Sequence, residues 1–506
     1  MRTAIATLVV GAALLAAGCG GSGGSSSLTA NTIPDTASLA PMAAGLWISV
    51  DTDRSSDQWK ALDALLAQIP GAENVIDGAL AQIGSSDKKL DFQRDVQPAL
   101  GKQVVVVVPS GSSDPVLLAK PTDDAKLKAL LQDSTKPPVT GEVQGWTVVA
   151  QTQNALDAYQ AALAKGTLAD SDAFVQAMNG LPQEALARVF VDGKGLGAAF
   201  GKAAESASGA LKSIPIPGVG NLPETRTGSV NSKALAQLGT IGLAVSAGDH
   251  VLRVDGSVET ANGVQAVSFT PTLLARVPAD AIAAIALEGN AALTKQVRDA
   301  LANAGAADAL KSVETQLGVS LDDLLGLADG QGVVYLRPGL IIPEITVVLE
   351  PKDPAKALET IDMAVTTLAA KTGAKISETR QAGVSLKSVA VSILSVAWGR
   401  DGDRIVVTTG AHAVEAFDGA GLKLVASDRF KKAAADVGLG DQTGGFAYVD
   451  VKALAPLLNT IASAAGSGSD ATLKKLTDAL SAIDSVALNS SSDGSRIRFH
   501  GAVRIG

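Results

Sequence analysis

The sequence predicts an α+β fold made of two tandem related repeats, each a mostly antiparallel sheet with flanking helices. Three observations predict it. Short β-branched runs bounded by turn residues alternate with segments of helical period. Asp-Gly pairs sit between apolar runs, where they make hairpin turns and so antiparallel strands. The same motifs also occur twice in the same order, and a repeat of this kind sets the architecture.

Taken in order, the run from Pro41 to Asp51 answers the run from Pro278 to Glu288 without a gap. Asp57 to Ile69 places Trp59, Leu62, Leu65, Leu66 and Ile69 at helical spacing. Val104 to Val108 and Val116 to Ala119 read as strands, and the stretch beginning at Gly101 matches the one beginning at Gly330 residue for residue. Lys120, Pro121 and Asp123 return as Glu350, Pro351 and Asp353, the latter a cap followed by the proline favoured in a first helical turn. Trp146 to Ala150 and Val189 to Asp192 are further strands. Ser171 to Phe174 returns as Ser427 to Phe430, Val189 to Leu196 as Ala447 to Leu454, and His250 to Gly256 as Ser495 to Gly501. The second repeat is expected to gain one strand around Val389 to Ala397, and the first a Pro/Gly-rich loop through Ser213 to Pro223. Turns fall at Arg400 to Gly402 and at Asp493-Gly494.

Residues 1–18 read as a lipoprotein signal peptide, with Arg2 ahead of an apolar core from Ile5 to Ala17 and Gly18 before the cut. The core is too short to span a bilayer, which takes ~20 apolar residues. Residues 19–32 are the lipidated Cys19 and a Gly/Ser tether. The domain boundaries that follow are 33–270 for the first α+β repeat and 271–506 for the second. Cys19 is the only cysteine, so it makes neither an intramolecular disulfide nor a Cys-rich metal site, and its expected task is to carry lipid. The competing reading is an ordinary secretory signal cut near Ala17, leaving a free thiol.

A formal net charge of −9 argues against nucleic acid and anionic surfaces as partners, and aromatic residues at 3% leave few stacking platforms for single strands. The pattern of a proline-led strand ending in an acid, a Lys/Glu-Pro-x-Asp helix start, Asp-Gly-Asp-Arg before a strand, and Ser-Asp-x-Phe leading to aromatic-Val-Asp resembles a family of bacterial envelope proteins catalogued only as a domain of unknown function. The resemblance spans most of the mature chain and implies the duplicated α+β fold. It carries over no catalytic residue.

No motif for chemistry holds up. Gly193 to Gly201 has the setting of a nucleotide-binding loop, but its counterpart starting at Val451 lacks the glycines. Ser22 lies in the tether, and Ser85 to Lys88 with Lys371 to Gly373 lacks the middle motif of a penicillin-recognising enzyme. Asp51 and Asp53 suggest calcium, yet Ser56 and Leu62 stand where the turn glycine and the glutamate belong. Asp192 and Asp450 read as helix caps, and His250, His412 and His500 have no histidine partner at ligand spacing. No cofactor is expected.

The sharpest difference between the repeats is the hairpin tip holding Leu340, Ile341 and Ile342, apolar where the first repeat is polar, and these are the candidate contact residues for a ligand or partner. The expected function is a lipid-anchored extracytoplasmic protein on the outer face of the membrane. It is read as a non-enzymatic binder of an apolar ligand, a lipid, or an envelope partner. The alternative is a cell-surface hydrolase with an unrecognised active site.

Overall fold

Valine runs in this chain are strands because they are covered on both faces. Val104 to Val108 are all buried, odd-numbered members facing one core and even-numbered members another. The computed structural model describes residues 33–72, 91–112, 114–132, 137–195, 238–260, 268–290, 294, 307–339, 343–391, 394–464, 477–493 and 496–506.

The first half runs β1 (Ala44–Asp51), α1 (Asp57–Leu66), α2 (Gln97–Leu100), β2 (Gln103–Pro109), β3 (Val116–Ala119) and α3 (Asp124–Gln132). It continues through β4 (Val139–Val143), β5 (Trp146–Ala150), α4 (Gln153–Leu163), α5 (Asp172–Met178), β6 (Ala187–Asp192), β7 (Leu238–Gly248) and β8 (Val251–Thr260). The second half runs β9 (Ala283–Gly289), α6 (Ala307–Leu317), α7 (Leu321–Gly326), β10 (Gly330–Arg337), β11 (Glu344–Pro351) and α8 (Pro354–Thr372). Then follow β12 (Ile376–Gln381), β13 (Val384–Val391), β14 (Leu394–Asp401), β15 (Arg404–Thr408), α9 (Ala413–Asp418), α10 (Asp428–Asp436), β16 (Gly445–Asp450), α11 (Val451–Ala464), β17 (Ile483–Asp493) and β18 (Arg496–Ile505).

Among the described residues eighteen strands form one sheet, and every pairing between them is antiparallel. The order across the first half is β4-β5-β3-β2-β1-β6-β7-β8. Across the second half it is β14-β15-β11-β10-β9-β16-β17-β18, with β13 and β12 added outside β14. The halves join where β8 pairs with β18.

Register agrees as well as order. Trp47 lies between Val107 and Phe190, and Ala284 between Tyr335 and Tyr448. Leu243 faces Gly256 as Leu488 faces Gly501. The ungapped match from Gly101 to Gly330 needs one correction. Gln103 pairs with Asp51 as Gln331 pairs with Glu288, yet Gly101 and Gly330 both sit where a Cβ would strike a carbonyl, that of Lys120 at 2.0 Å and that of Glu350 at 2.1 Å. Lys102 is therefore an extra residue in the first half, and a one-residue shift exchanges the faces of everything after it. The second expectation corrected is the single extra strand. The second half adds the β12–β13 hairpin, and the Val389 to Ala397 run is divided between β13 and β14.

The Ser-Asp-x-Phe motif builds the core beneath one face of each half. Ser171 and Ser427 cap α5 and α10 by accepting the amides of Phe174 and Phe430 at 3.4 and 3.2 Å. The capped turn drives each phenylalanine edge-on against the strand aromatic below it: Phe174 on Phe190 and Phe430 on Tyr448, both at 5.2 Å. Trp47 completes the first cluster, 5.3 Å from Phe174. In the second half the bulk has moved one strand over, so the large-small pair Trp47/Val107 becomes Ala284/Tyr335 and the cross-strand volume is conserved.

Candidate functional site: an apolar strip on the sheet

The opposite face of the sheet treats the two halves differently. In the first half the cross-strand row Leu243, Val189, Ile48, Val106, Leu117 and Val149 belongs to a closed apolar cluster, and Ile48 is 2% exposed. Register places Leu488, Ala447, Ile285, Val334, Val347 and Val407 in the matching row of the second half. There Ile285 is 47% exposed, and in the next row Ala283, Leu336 and Ile345 lie side by side with Ile345 at 49%. The side chains are of one kind in both halves; only the cover differs. Val407, at the β15 end, packs against the Trp398 cluster beneath α8, which leaves five adjacent strands uncovered and, at a spacing of about 4.8 Å, a strip ~19 Å long. Its flanks are α8, packed on β11, β14 and β15, and α11, packed on β16 and β17.

The candidate contacts Leu340, Ile341 and Ile342, like Cys19, lie outside the described residues. In the row next to the strip, Leu336 and Ile345 are a directly paired couple near the C-terminal end of β10 and the start of β11. Sequence reasoning missed Ile285, since an isoleucine stands at the matching position of the closed half.

Polar clusters are held by their own neighbours. An open cleft of about 400 Å³ is lined by Asp51, Asp53, Asp57, Lys102 and Glu184 among others. Asp51 accepts the amide of Asp53 at 2.8 Å and the hydroxyl of Ser56 at 2.6 Å, while burial pushes its pKa up. Hydrogen bonds from Ser55 and then Lys102 bring Asp53 down to about 2. A folded-state pKa below the ordinary ~4 means that the contribution of Asp53 to stability is present above pH ~4 and lost as pH falls towards 2. We expect a carboxyl-carbon NMR titration of Asp53 with its midpoint near 2, moving upward in Lys102→Met.

The carboxyl groups of Asp401 and Asp418 are in contact. Burial and then contact with Asp418 push Asp401 up. At Asp418 the burial that would raise the pKa is outweighed by hydrogen bonds from Arg404, and the carboxylate is held low. Such a split resembles an acid/base pair. Here, however, Arg404 holds Asp418 in two-point contact at 2.7 and 3.0 Å, Arg276 also binds Asp418, and both guanidiniums lie over the Phe417 ring. The geometry is that of a structural clamp. Asp192 and Asp450 accept amides of Lys194 and Ala453 at 3.1 and 2.8 Å, the capping expected of them. Lys371 caps the end of α6 through the carbonyls of Thr315 and Gln316. Among the described residues there is no group of three or more His, Cys, Asp or Glu placed to hold a metal, and no helix long and apolar enough to cross a membrane.

No curated protein matches the chain. A solved structure described as crystal form III of TP0453 is 8% identical, with a TM-score of 0.23, covering 47% of this chain and 83% of that one. Crystal form I of the same protein is 10% identical, with a TM-score of 0.21 and coverage of 46% and 82%. Likeness at these scores bears on neither fold nor function. The model of one family matches residues 3–159 and 147–505 and is described as "Protein of unknown function (DUF3352)", and the chain belongs to that family.

Proposed function

We propose that the chain is a tandem duplication of one α+β unit, anchored by lipid on Cys19 at the outer face of the membrane. Its second half binds an acyl chain along the open strip without catalysis. The observation that carries the reading is the contrast between Ile48 at 2% and Ile285 at 47% exposure on matched strands. Leaving such area in water costs ~25 cal/mol for each Å². A row of aliphatic side chains with no polar group in it fits a hydrocarbon chain, and ~19 Å of strip accommodates one extended chain, against ~15 Å for one leaflet of a 30 Å bilayer core. Duplication is supported by the shared strand order and register.

Lipid extraction from the purified full-length protein, followed by mass spectrometry, tests the binding. We expect co-purifying acyl lipid in the wild type and its loss in Ile285→Asp, with the melting temperature held within ~2 °C because the position is half exposed. A sharp fall in melting temperature identifies the strip as internal packing and ends the reading. Cys19→Ala is expected to move the protein from the detergent to the aqueous phase in phase partitioning. A variant that still enters detergent places the anchor elsewhere.

A further inference from the structure

We propose that the β8–β18 junction is an isologous interface between the two units, held by reciprocal arginines and made selective by the unlike pair Asp255 and His500 on its two-fold axis. The inference rests on the duplication proposed above.

Register locates the axis. Gly256 and Gly501 are matched through their leucine partners on β7 and β17, so the residues just before them, Asp255 and His500, are matched as well. In the junction these two matched residues pair with each other. Only a position on a two-fold axis meets its own counterpart. On either side of it the contacts are exchanged. Arg253 of β8 donates to the Asp436 carbonyl at 3.4 Å, and Arg498 of β18 donates to the Asn179 carbonyl at 3.0 Å. Each arginine thus reaches the C-terminal end of the other half's helix, α10 or α5, where free carbonyls and the helix dipole favour a cation.

In a dimer of identical units, an axis residue faces a copy of itself: Asp against Asp, or His against His. Here His500 Nδ1 meets Asp255 Oδ1, and Asp255 is 4% exposed. Fusion of the units allowed the two copies to diverge into a complementary pair. That pair favours β8 on β18 over β8 on β8 or β18 on β18, which would each bring like groups together.

Melting of the full-length chain tests the proposal with three variants. His500→Asp and Asp255→His build the like pairs, and the exchange Asp255→His/His500→Asp restores an unlike one. We expect each like-pair variant to melt about 5 °C below the wild type and the exchanged chain to recover at least half of that loss. Like-pair variants that fail to fold beside an exchanged chain that folds support the proposal equally. An exchanged chain that melts no higher than the like-pair variants, or that fails to fold, overturns it. Duplication itself is judged separately: the strand order in an experimental structure can hold while the exchange fails, and only a different order in the two halves removes both.

Discussion

Phe174→Ala is expected to destabilise the protein by about 3–5 kcal/mol, and Phe430→Ala by a similar amount. Phe174 has no exposed area and touches both Trp47 and Phe190 edge-on, so truncation removes two ring contacts and opens a cavity under rigid strands. Phe430 likewise makes two edge-on ring contacts, with Tyr448 at 5.2 Å in the place of Phe190 and with Phe446 at 5.5 Å. Denaturant unfolding monitored by fluorescence reads both losses. Trp47 reports on the first half and Trp398, buried in the second, on the other. If one phenylalanine proves dispensable, the two helices do not play the same part.

The second large effect comes with its own control. Gly256→Ala is expected to cost ~1–3 kcal/mol, because the added methyl would lie 2.2 Å from Phe499 Cζ and 2.7 Å from Leu243 Cδ2. At the matched position Gly501 the nearest atoms are 3.6 Å away, and Gly501→Ala should be near neutral. The difference has two sources: β18 carries Phe499 where β8 carries Val254, so the ring closes over the smaller neighbour across the junction, and Leu243 sits nearer to the Gly256 position than its match Leu488, at 3.6 Å, does to Gly501. Thermal melts of the two variants side by side check it. Equal effects would mean that the ring does not rest on Gly256.

Much of the fold was readable because the same short motifs occur twice, in the same order, along the sequence. A motif such as Ser-Asp-x-Phe is weak once, and its return before a second aromatic-Val-Asp strand marks a shared helix and strand. What escaped was written in polar residues or in long-range pairing. β12 has five exposed residues in a row, so no apolar alternation announced it, and β4 alternates half-buried with exposed side chains around a Gln144-Gly145 turn. Lys102 could not be recognised as an insertion, since valines continue on either reading and only the cross-strand partners decide the register. Asp255 and His500 were aligned in the sequence, but their meeting depends on which edge of one half finds which edge of the other. The open strip was invisible for a simpler reason: exposure of Ile285 is a property of what lies above it, and Ile48 spells the same residue in a closed place.

Among the described residues the sheet ends in β4 on one side and β12 on the other, each with one paired neighbour, and the two are finished differently. β4 is five residues long and presents Glu142 and Thr140 outward. β12 turns Ser377, Glu378, Thr379 and Arg380 to solvent, while Gln381 fastens the hairpin inward, its amide donating to the Gly410 carbonyl at 2.9 Å and its oxygen accepting the Val414 amide at 3.2 Å. Backbone groups along such ends are templates for further strands, and shortness and charge are what discourage a neighbour from adding one. The polar finish of β4 and β12 therefore acts as a barrier to edge-to-edge polymerisation, keeping these proteins separate molecules even where they are concentrated.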